Sequence, residues 1–212
     1  EYRWLTKMKH TTFNVRGVPL TYWPYWSGDI SDGSTSLRKV QVSRDSSYGV
    51  GVDTEWHLFR LLGLVKPKGF NGKFSFDVHE DEVGAKVDLK YARRNYSGYS
   101  TIYGLIDQEN ADDFGDVERN VPAPEERGRI LMRHKHLLPD DSQPQFELSY
   151  LCDKNFLRQF DSNEFHAGKE QETLLYAKKQ RDNWAFDALL QARINRFLTQ
   201  TESAPDVGFF LI

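Results

Sequence analysis

His134 and His136 stand at alternate positions of one run, with Met132 just before them. Alternate strand positions project to the same side, so the two imidazoles could share a metal. A zinc site needs further ligands, and none is evident nearby. The pair therefore reads as interfacial polar residues, and no metal site is assigned. Asp53 with Glu55, and Glu170 with Glu172, could pose as carboxylate pairs. Residues two apart on a strand are separated by roughly 6.5–7 Å, within the spacing of an inverting glycosidase. Polar strand faces generate such pairs routinely, so no catalytic residue is assigned. Asp112, Asp113, Asp116 and Glu118 lie in the acidic stretch 107–126, which lacks EF-hand spacing. That stretch reads as a solvated loop, with divalent-cation binding as the sharper alternative. Cys152 is the single cysteine, so no internal disulfide can form. Between Leu151 and Asp153 it reads as a small strand hydrophobe. No Gly-x-Ser-x-Gly, P-loop or zinc signature occurs. Enzyme chemistry and a cofactor are not expected.

The chain has 212 residues, a net charge of −3, and 39% hydrophobic and 28% charged residues. This is an ordinary globular composition, and it does not suggest a basic nucleic-acid binder. No apolar run of ~18 residues is present, which excludes a transmembrane helix but not a membrane β-barrel. Aromatic residues reach 14%, which suits strands or membrane interfaces.

Period-2 alternation dominates. Phe74, Phe76 and Val78 alternate with Lys73, Ser75 and Asp77. Ala85, Val87, Leu89 and Tyr91 alternate with Lys86, Asp88 and Lys90. Val50, Val52 and Trp56 face away from Asp53 and Glu55, and Phe146, Leu148 and Tyr150 from Gln145, Glu147 and Ser149. Trp184, Phe186, Ala188, Leu190, Ala192 and Ile194 alternate with Asp187, Gln191, Arg193 and Asn195. Each run has one apolar and one strongly polar face. About ten strands follow from the pattern: 38–44, 49–62, 71–79, 85–95, 99–108, 128–137, 145–153, 170–180, 184–198 and 205–212. No helix is expected beyond one turn within 156–165. Several runs reach the length of about 9–11 residues that tilted membrane strands need. Short links alternate with long ones, the latter at 80–84, 109–127, 154–169 and 199–206, as periplasmic turns alternate with extracellular loops. Trp56, Trp184, Tyr91, Tyr99, Tyr103 and Tyr150 are candidates for interfacial aromatic girdles.

The N-terminal thirty residues differ. Pro19 and Pro24 forbid a helix, and with Tyr22, Trp23, Tyr25 and Trp26 they suggest an extended edge segment. A Gly/Ser/Asp-rich linker follows at 27–36. The division expected is 1–30 as the end of one domain and 31–212 as the first part of another. The chain starts at Glu1 and stops on Phe209-Phe210-Leu211-Ile212, which reads as a piece of a longer protein.

The stretch Val18-Pro19-Leu20-Thr21-Tyr22-Trp23-Pro24-Tyr25-Trp26 resembles the "P-v-f-Y-x-P-Y" segment of the lipopolysaccharide-assembly outer-membrane protein family (LptD/OstA). Asp153-Lys154-Asn155-Phe156-Leu157 is similar to its "S-D-x-x-F-L" motif, and Glu172-Thr173-Leu174-Leu175-Tyr176 followed by Asn183-Trp184 to its "E-T-x-L" and "N-W". Gln191 to Asn195 and Thr199-Gln200-Thr201-Glu202 resemble its "Q-x-x-x-N-x-F-x-T-Q-T-E-x-L-P" stretch. The order of these motifs along nearly the whole chain carries the resemblance. Ser36-Leu37-Arg38-Lys39 replaces the family's Arg-Lys-Thr-Gly, and whereas members often carry cysteine pairs linking jellyroll to barrel, this chain has only Cys152.

The resemblance implies an all-β fold: the tail of a periplasmic β-jellyroll, then an antiparallel transmembrane β-barrel fragment. Pro19, Tyr22, Pro24 and Tyr25 would mark the junction. It also implies a bacterial outer-membrane translocon that inserts lipopolysaccharide through jellyroll, lumen and lateral gate. Its partners would be a plug lipoprotein and a periplasmic bridge protein. Asp53, Lys86, Asp88, Lys90, Glu147, Gln191, Arg193 and Asn195 are the candidate lumen-lining residues. The alternative is a soluble β-sandwich module binding a ligand or glycan; a carbohydrate-active β-enzyme is a third reading, without a visible site.

Overall fold

The computed structural model describes residues 5–15, 18–29, 36–45, 49–109, 111–112, 114, 121–168, 170–199 and 202–211. The fold is all-β. Strands β1 (Leu5–Val15) and β2 (Val18–Asp29) form an antiparallel hairpin. Its ladder runs from Leu5 opposite Asp29 to Val15 opposite Val18, with Tyr22 opposite Thr12, Tyr25 opposite Lys9, and Pro19 at a register shift. Extended edge pairing tolerates prolines, because a two-stranded ribbon needs donors on one side only.

A single ten-stranded sheet holds the rest. In chain order its strands are β3 (Leu37–Asp45), β4 (Gly49–His57), β5 (Phe70–His79), β6 (Glu82–Ala92), β7 (Tyr96–Asp107), β10 (Glu126–His136), β11 (Gln143–Leu151), β12 (Thr173–Arg181), β13 (Trp184–Ala192) and β14 (Ser203–Leu211). Every neighbouring pair is antiparallel, and each strand lies beside the one before it in the sheet, a simple meander. The edges β3 and β14 are not paired with each other among the described residues. The link from β7 to β10 carries the short ribbon β8 (Ala111–Asp112) with β9 (Val121–Pro122).

Several boundaries depart from the sequence expectation. Helix α1 (Leu58–Leu61) takes the end of the run 49–62. It lies against Gly72, where a Cβ would come within 2.9 Å of Leu58. The link expected at 80–84 is only the turn between His79 and Glu82. Strand β13 stops at Ala192, short of 198. The link from β11 to β12 folds into α2 (Phe156–Phe160) and α3 (Ser162–Ala167). Asp161 caps α3 by accepting the Glu164 N–H at 3.3 Å, and Gly168 ends it at φ +64°, a conformation that glycine adopts without strain.

Paired residues of an antiparallel ladder share a face. The register therefore sorts the sheet into two unlike sides. One carries Val42, Val52, Phe76, Val87, Ile102, Met132, Phe146, Leu175, Leu190 and Phe209. The other carries Asp53, Lys73, Lys86, Asp88, Arg129, Arg133 and Glu147. Burial runs opposite to a soluble sheet: Val42 is 71% and Ile102 52% exposed, while Arg127 and Arg129 are 3% exposed. The small hydrophobic core sits on the polar side. There Phe156 and Leu157 of α2 pack on Leu105 and Leu151, with Tyr103, Cys152 and Phe160 around them.

The apolar side ends in aromatic rings beside the short turns. Phe70 stacks on Tyr91 at 5.3 Å, and Trp184 on Phe209 at 6.0 Å. Tyr91 hydroxyl and His134 Nδ1 are hydrogen-bonded at 2.8 Å. Trp56, Trp184, Tyr91 and Tyr150 project to this side. Tyr99 and Tyr103 do not: they pair with Arg133 and Arg129 on the polar side, so they are not girdle residues. The period in 96–107 is right, but Gly98, Ser100 and Gly104 leave its apolar side sparsely filled and disguise the phase.

Candidate functional site on the polar face

The polar face has an open half and a covered half. On β3–β7, Lys73 Nζ lies 3.5 Å from both Glu55 and Asp88 carboxylate oxygens. Asp88 also accepts from Thr101 Oγ1 at 2.7 Å. Asp53 accepts from Ser43 Oγ at 2.6 Å and lies 3.2 Å from His79 Nε2. Lys86 sits over the Tyr103 ring at 5.5 Å. Strand alternation aligns these groups, and Asp53, Glu55, Lys73 and Lys86, together with Lys39, Asp77 and Phe160, line a groove of about 290 Å³. Such half-exposed pairs add little stability each. What they provide is a wall of closely spaced donors and acceptors of both signs.

On β7, β10 and β11 the same face is covered. Arg127 donates through Nη1 to Asp107 at 3.2 Å and to Asp112. Its Nε and Nη2 each reach Asp153 at 3.0 Å, and its guanidinium lies 4.7 Å from the Phe160 ring centroid. Two strands and two links thus converge on one buried cation. Arg129 donates to Asp161 at 3.2 Å and Glu164 at 2.6 Å. Gln171 bridges Glu164 at 3.0 Å to Ser149, whose hydroxyl donates to it at 2.6 Å. Asn195 secures the neighbouring turn by accepting the Leu151 N–H at 2.9 Å and donating to the Ser149 carbonyl at 2.8 Å. Buried charges persist only when paired in this manner.

Groups in the links are shifted accordingly. Burial alone would raise Glu164, but the hydrogen bonds from Arg129 and Gln171 hold its carboxyl below the usual glutamate value. Burial, then the hydrogen bond to Asp153, pushes the Cys152 thiol up to about 11. Its Sγ accepts the Gly128 N–H at 3.1 Å, and a neutral thiol in this packing is a poor nucleophile. Asp140, in the β10–β11 turn, is lowered to about 2 by hydrogen bonds from Lys179 and Ser142.

Asp53, Lys86, Asp88, Lys90, Glu147 and Gln191 all project to the polar face. Arg193 and Asn195 lie past the end of β13; Arg193 approaches Glu202 at 3.6 Å, and Asn195 is the buried anchor described above. Pro19, Tyr22, Pro24 and Tyr25 share β2. Of the carboxylate pairs, Asp53 and Glu55 line the same groove. Glu55 is held by Lys73 and Arg38, and Glu172 accepts from Gln191 at 2.9 Å. Asp112 is not a solvated loop residue: it is fully buried against Arg127. Asp113, Asp116 and Glu118 lie outside the described residues. His134 and His136 face the apolar side, and no group of three or more metal-ligating side chains occurs among the described residues.

In comparisons with known proteins, no family model matches the chain, and no curated protein matches it in sequence. Its function must be argued from the geometry. Sequence reasoning missed Arg127, Arg129 and Arg133, whose period-2 spacing on β10 is the visible signal. Their partners are scattered, Asp107 at the end of β7 and Asp112, Asp153, Asp161 and Glu164 in the connections after β7 and β11, and carry no local pattern.

Proposed function

We propose that the chain is part of an outer-membrane β-barrel of the lipopolysaccharide-assembly type, with the β1–β2 hairpin as the tail of a periplasmic jellyroll. The observation that carries this reading is the inverted burial of the sheet. Large apolar side chains are exposed on one face, and charged side chains are buried on the other. Such a sheet is stable where hydrocarbon covers its apolar face, because each polar residue points inward. The meander, the strand lengths of 9–12 residues and the aromatic rings beside the short turns support the same reading. The ordered motifs from Val18 to Glu202 support the family.

The mechanism is passage rather than bond chemistry. Asp53, Lys86, Asp88, Lys90, Glu147 and Gln191 offer alternating donors and acceptors to sugars and phosphates moving along the polar face. The acyl chains leave laterally into the membrane. A plug lipoprotein and a periplasmic bridge protein are the partners this reading requires. Fractionation of the full-length protein from a two-membrane bacterium tests it. Recovery in the outer membrane with heat-modifiable gel migration is expected. Recovery in a soluble fraction would replace it with a β-sandwich module whose apolar face packs on another sheet.

A further inference from the structure

Three guanidinium donors on the polar face stand out. Arg129 Nε and Arg133 Nε and Nη2 are buried and make no hydrogen bond among the described residues, although Arg133 Nε is ion-paired with Glu147. The two arginines share one face of β10, with only Leu131 between them on that face. The Arg129 side chain is 3% exposed. Arg133 is held by Tyr99 and by Glu147, 2.8 Å from its Nε, and a hollow of about 220 Å³ opens beside it. Buried guanidinium donors without acceptors are costly, and an oxyanion with several acceptor oxygens relieves that cost. A link-borne acceptor already at this site is Glu164, 2.6 Å from Arg129 Nη2, whose carboxylate both guanidiniums attract. It is not part of the sheet. It rides on α3, in a link that lies on the polar face through the side chains of Phe156 and Leu157 in the apolar cluster, Asp153 on Arg127, and Asp161 and Glu164 on Arg129, with one backbone tie where it leaves β11, from Cys152 N–H to the Gly128 carbonyl at 3.0 Å.

We propose that Arg129 and Arg133 form a phosphate-binding subsite, that Glu164 occupies it when the α2–α3 segment is closed, and that an anionic group moving along the polar face displaces Glu164 and lifts the segment. The proposal rests on the reading of this face as a conduit and adds its regulation. A carboxylate on the long β11–β12 link can leave without breaking any strand ladder, whereas Glu147, on β11, cannot. Gly168, at φ +64°, supplies a bend at the end of α3.

Cys152 reports the state of the segment, because its half-buried thiol packs against the α2 cluster. The full-length protein in detergent is treated with N-ethylmaleimide, and labelling at Cys152 is followed by peptide mass. Glu164→Gln should accelerate labelling by about tenfold, the equivalent of one hydrogen bond between charged groups. In the wild type, inorganic phosphate should accelerate it saturably against chloride at equal ionic strength. Phosphatidic acid in the micelle forms a second arm. Acceleration by phosphatidic acid alone assigns the site to a lipid headgroup, and by inorganic phosphate alone to a soluble phosphate. Arg133→Gln should abolish the response, and Lys68→Gln, on the distant α1–β5 link, should retain it. An unchanged rate in Glu164→Gln, no response to either probe, or an equal response in Arg133→Gln would overturn the proposal. The assay needs neither a membrane location nor lipopolysaccharide, so its failure is distinct from failure of the translocon reading.

Discussion

Leu190 and Gln191 are neighbours on β13, yet they belong to different environments. Leu190 pairs with Leu175 on a face of exposed Val, Ile, Phe and Leu side chains. Gln191 pairs with Leu174 on the opposite face and donates to Glu172 at 2.9 Å. The contrast repeats across the ten strands. One side has apolar bulk that is exposed among the described residues; the other has paired charges and a link laid across them. In water the first arrangement forfeits the hydrophobic gain of burial, about 25 cal/mol per Å² of apolar surface. Against hydrocarbon it forfeits nothing. The polar side needs its partners in either solvent, because a buried guanidinium is tolerated only when paired.

The largest expected effect falls on the polar side. Arg127→Leu leaves Asp107, Asp112 and Asp153 facing one another without a cation. Removing one partner of a buried ionic cluster costs about 3–5 kcal/mol. The urea midpoint of the detergent-folded protein should drop accordingly, and a shift no larger than that of a surface variant would break the account of this cluster. Next comes the apolar side. On the membrane reading proposed above, Leu190→Arg should lose about 1–2 kcal/mol of stability, less than at the midplane because Leu190 lies two residues from the end of β13. Gln191→Arg should change it by no more than about 0.5 kcal/mol. Equal tolerance of both in an outer-membrane assembly assay would erase the distinction between the faces.

A smaller effect is set by pH. Glu164 has a lowered pKa in the folded chain, so its contribution is full above the ordinary glutamate value of about 4.3. It is lost as pH falls through the lowered folded value. Protection of Cys152 from a thiol reagent that works in acid should therefore hold from neutral pH to about 5 and fade below about 4. Glu164→Gln should flatten the profile. The smallest effect belongs to Asp140, which is exposed despite its 2.6 Å contact with Lys179. Asp140→Asn should leave the unfolding midpoint where it is, as exposed pairs usually do.

The ten strands were legible because period-2 alternation is a local property, and here it is strong on both faces. Phe74 to Val78 and Ala85 to Tyr91 reveal phase as well as extent. The failures are equally physical. Leu58 to Leu61 continue an apolar pattern but turn into α1, since a short apolar run fits a helix turn as well as a strand. Arg193 and Asn195 keep the alternation beyond Ala192, but Asn195 leaves the ladder to bind the backbone of Ser149 and Leu151. Tyr99 and Tyr103 are aromatic on the polar side because each stacks with a cation, Arg133 at 5.3 Å and Lys86 at 5.5 Å. Arg127 and Arg129 were invisible as a site because their acceptors come from links whose folding over the sheet is a tertiary event.

The central claim is that the two faces meet different media. Leu190→Cys and Gln191→Cys, each in a Cys152→Ser background and carrying a small fluorophore in the full-length protein reconstituted into bilayers, test it directly. A nitroxide attached midway along the lipid acyl chain should quench the label at 190 strongly and the label at 191 weakly. Aqueous iodide should do the reverse. Equal quenching of the two labels by the lipid nitroxide, or iodide access at 190, would contradict the account.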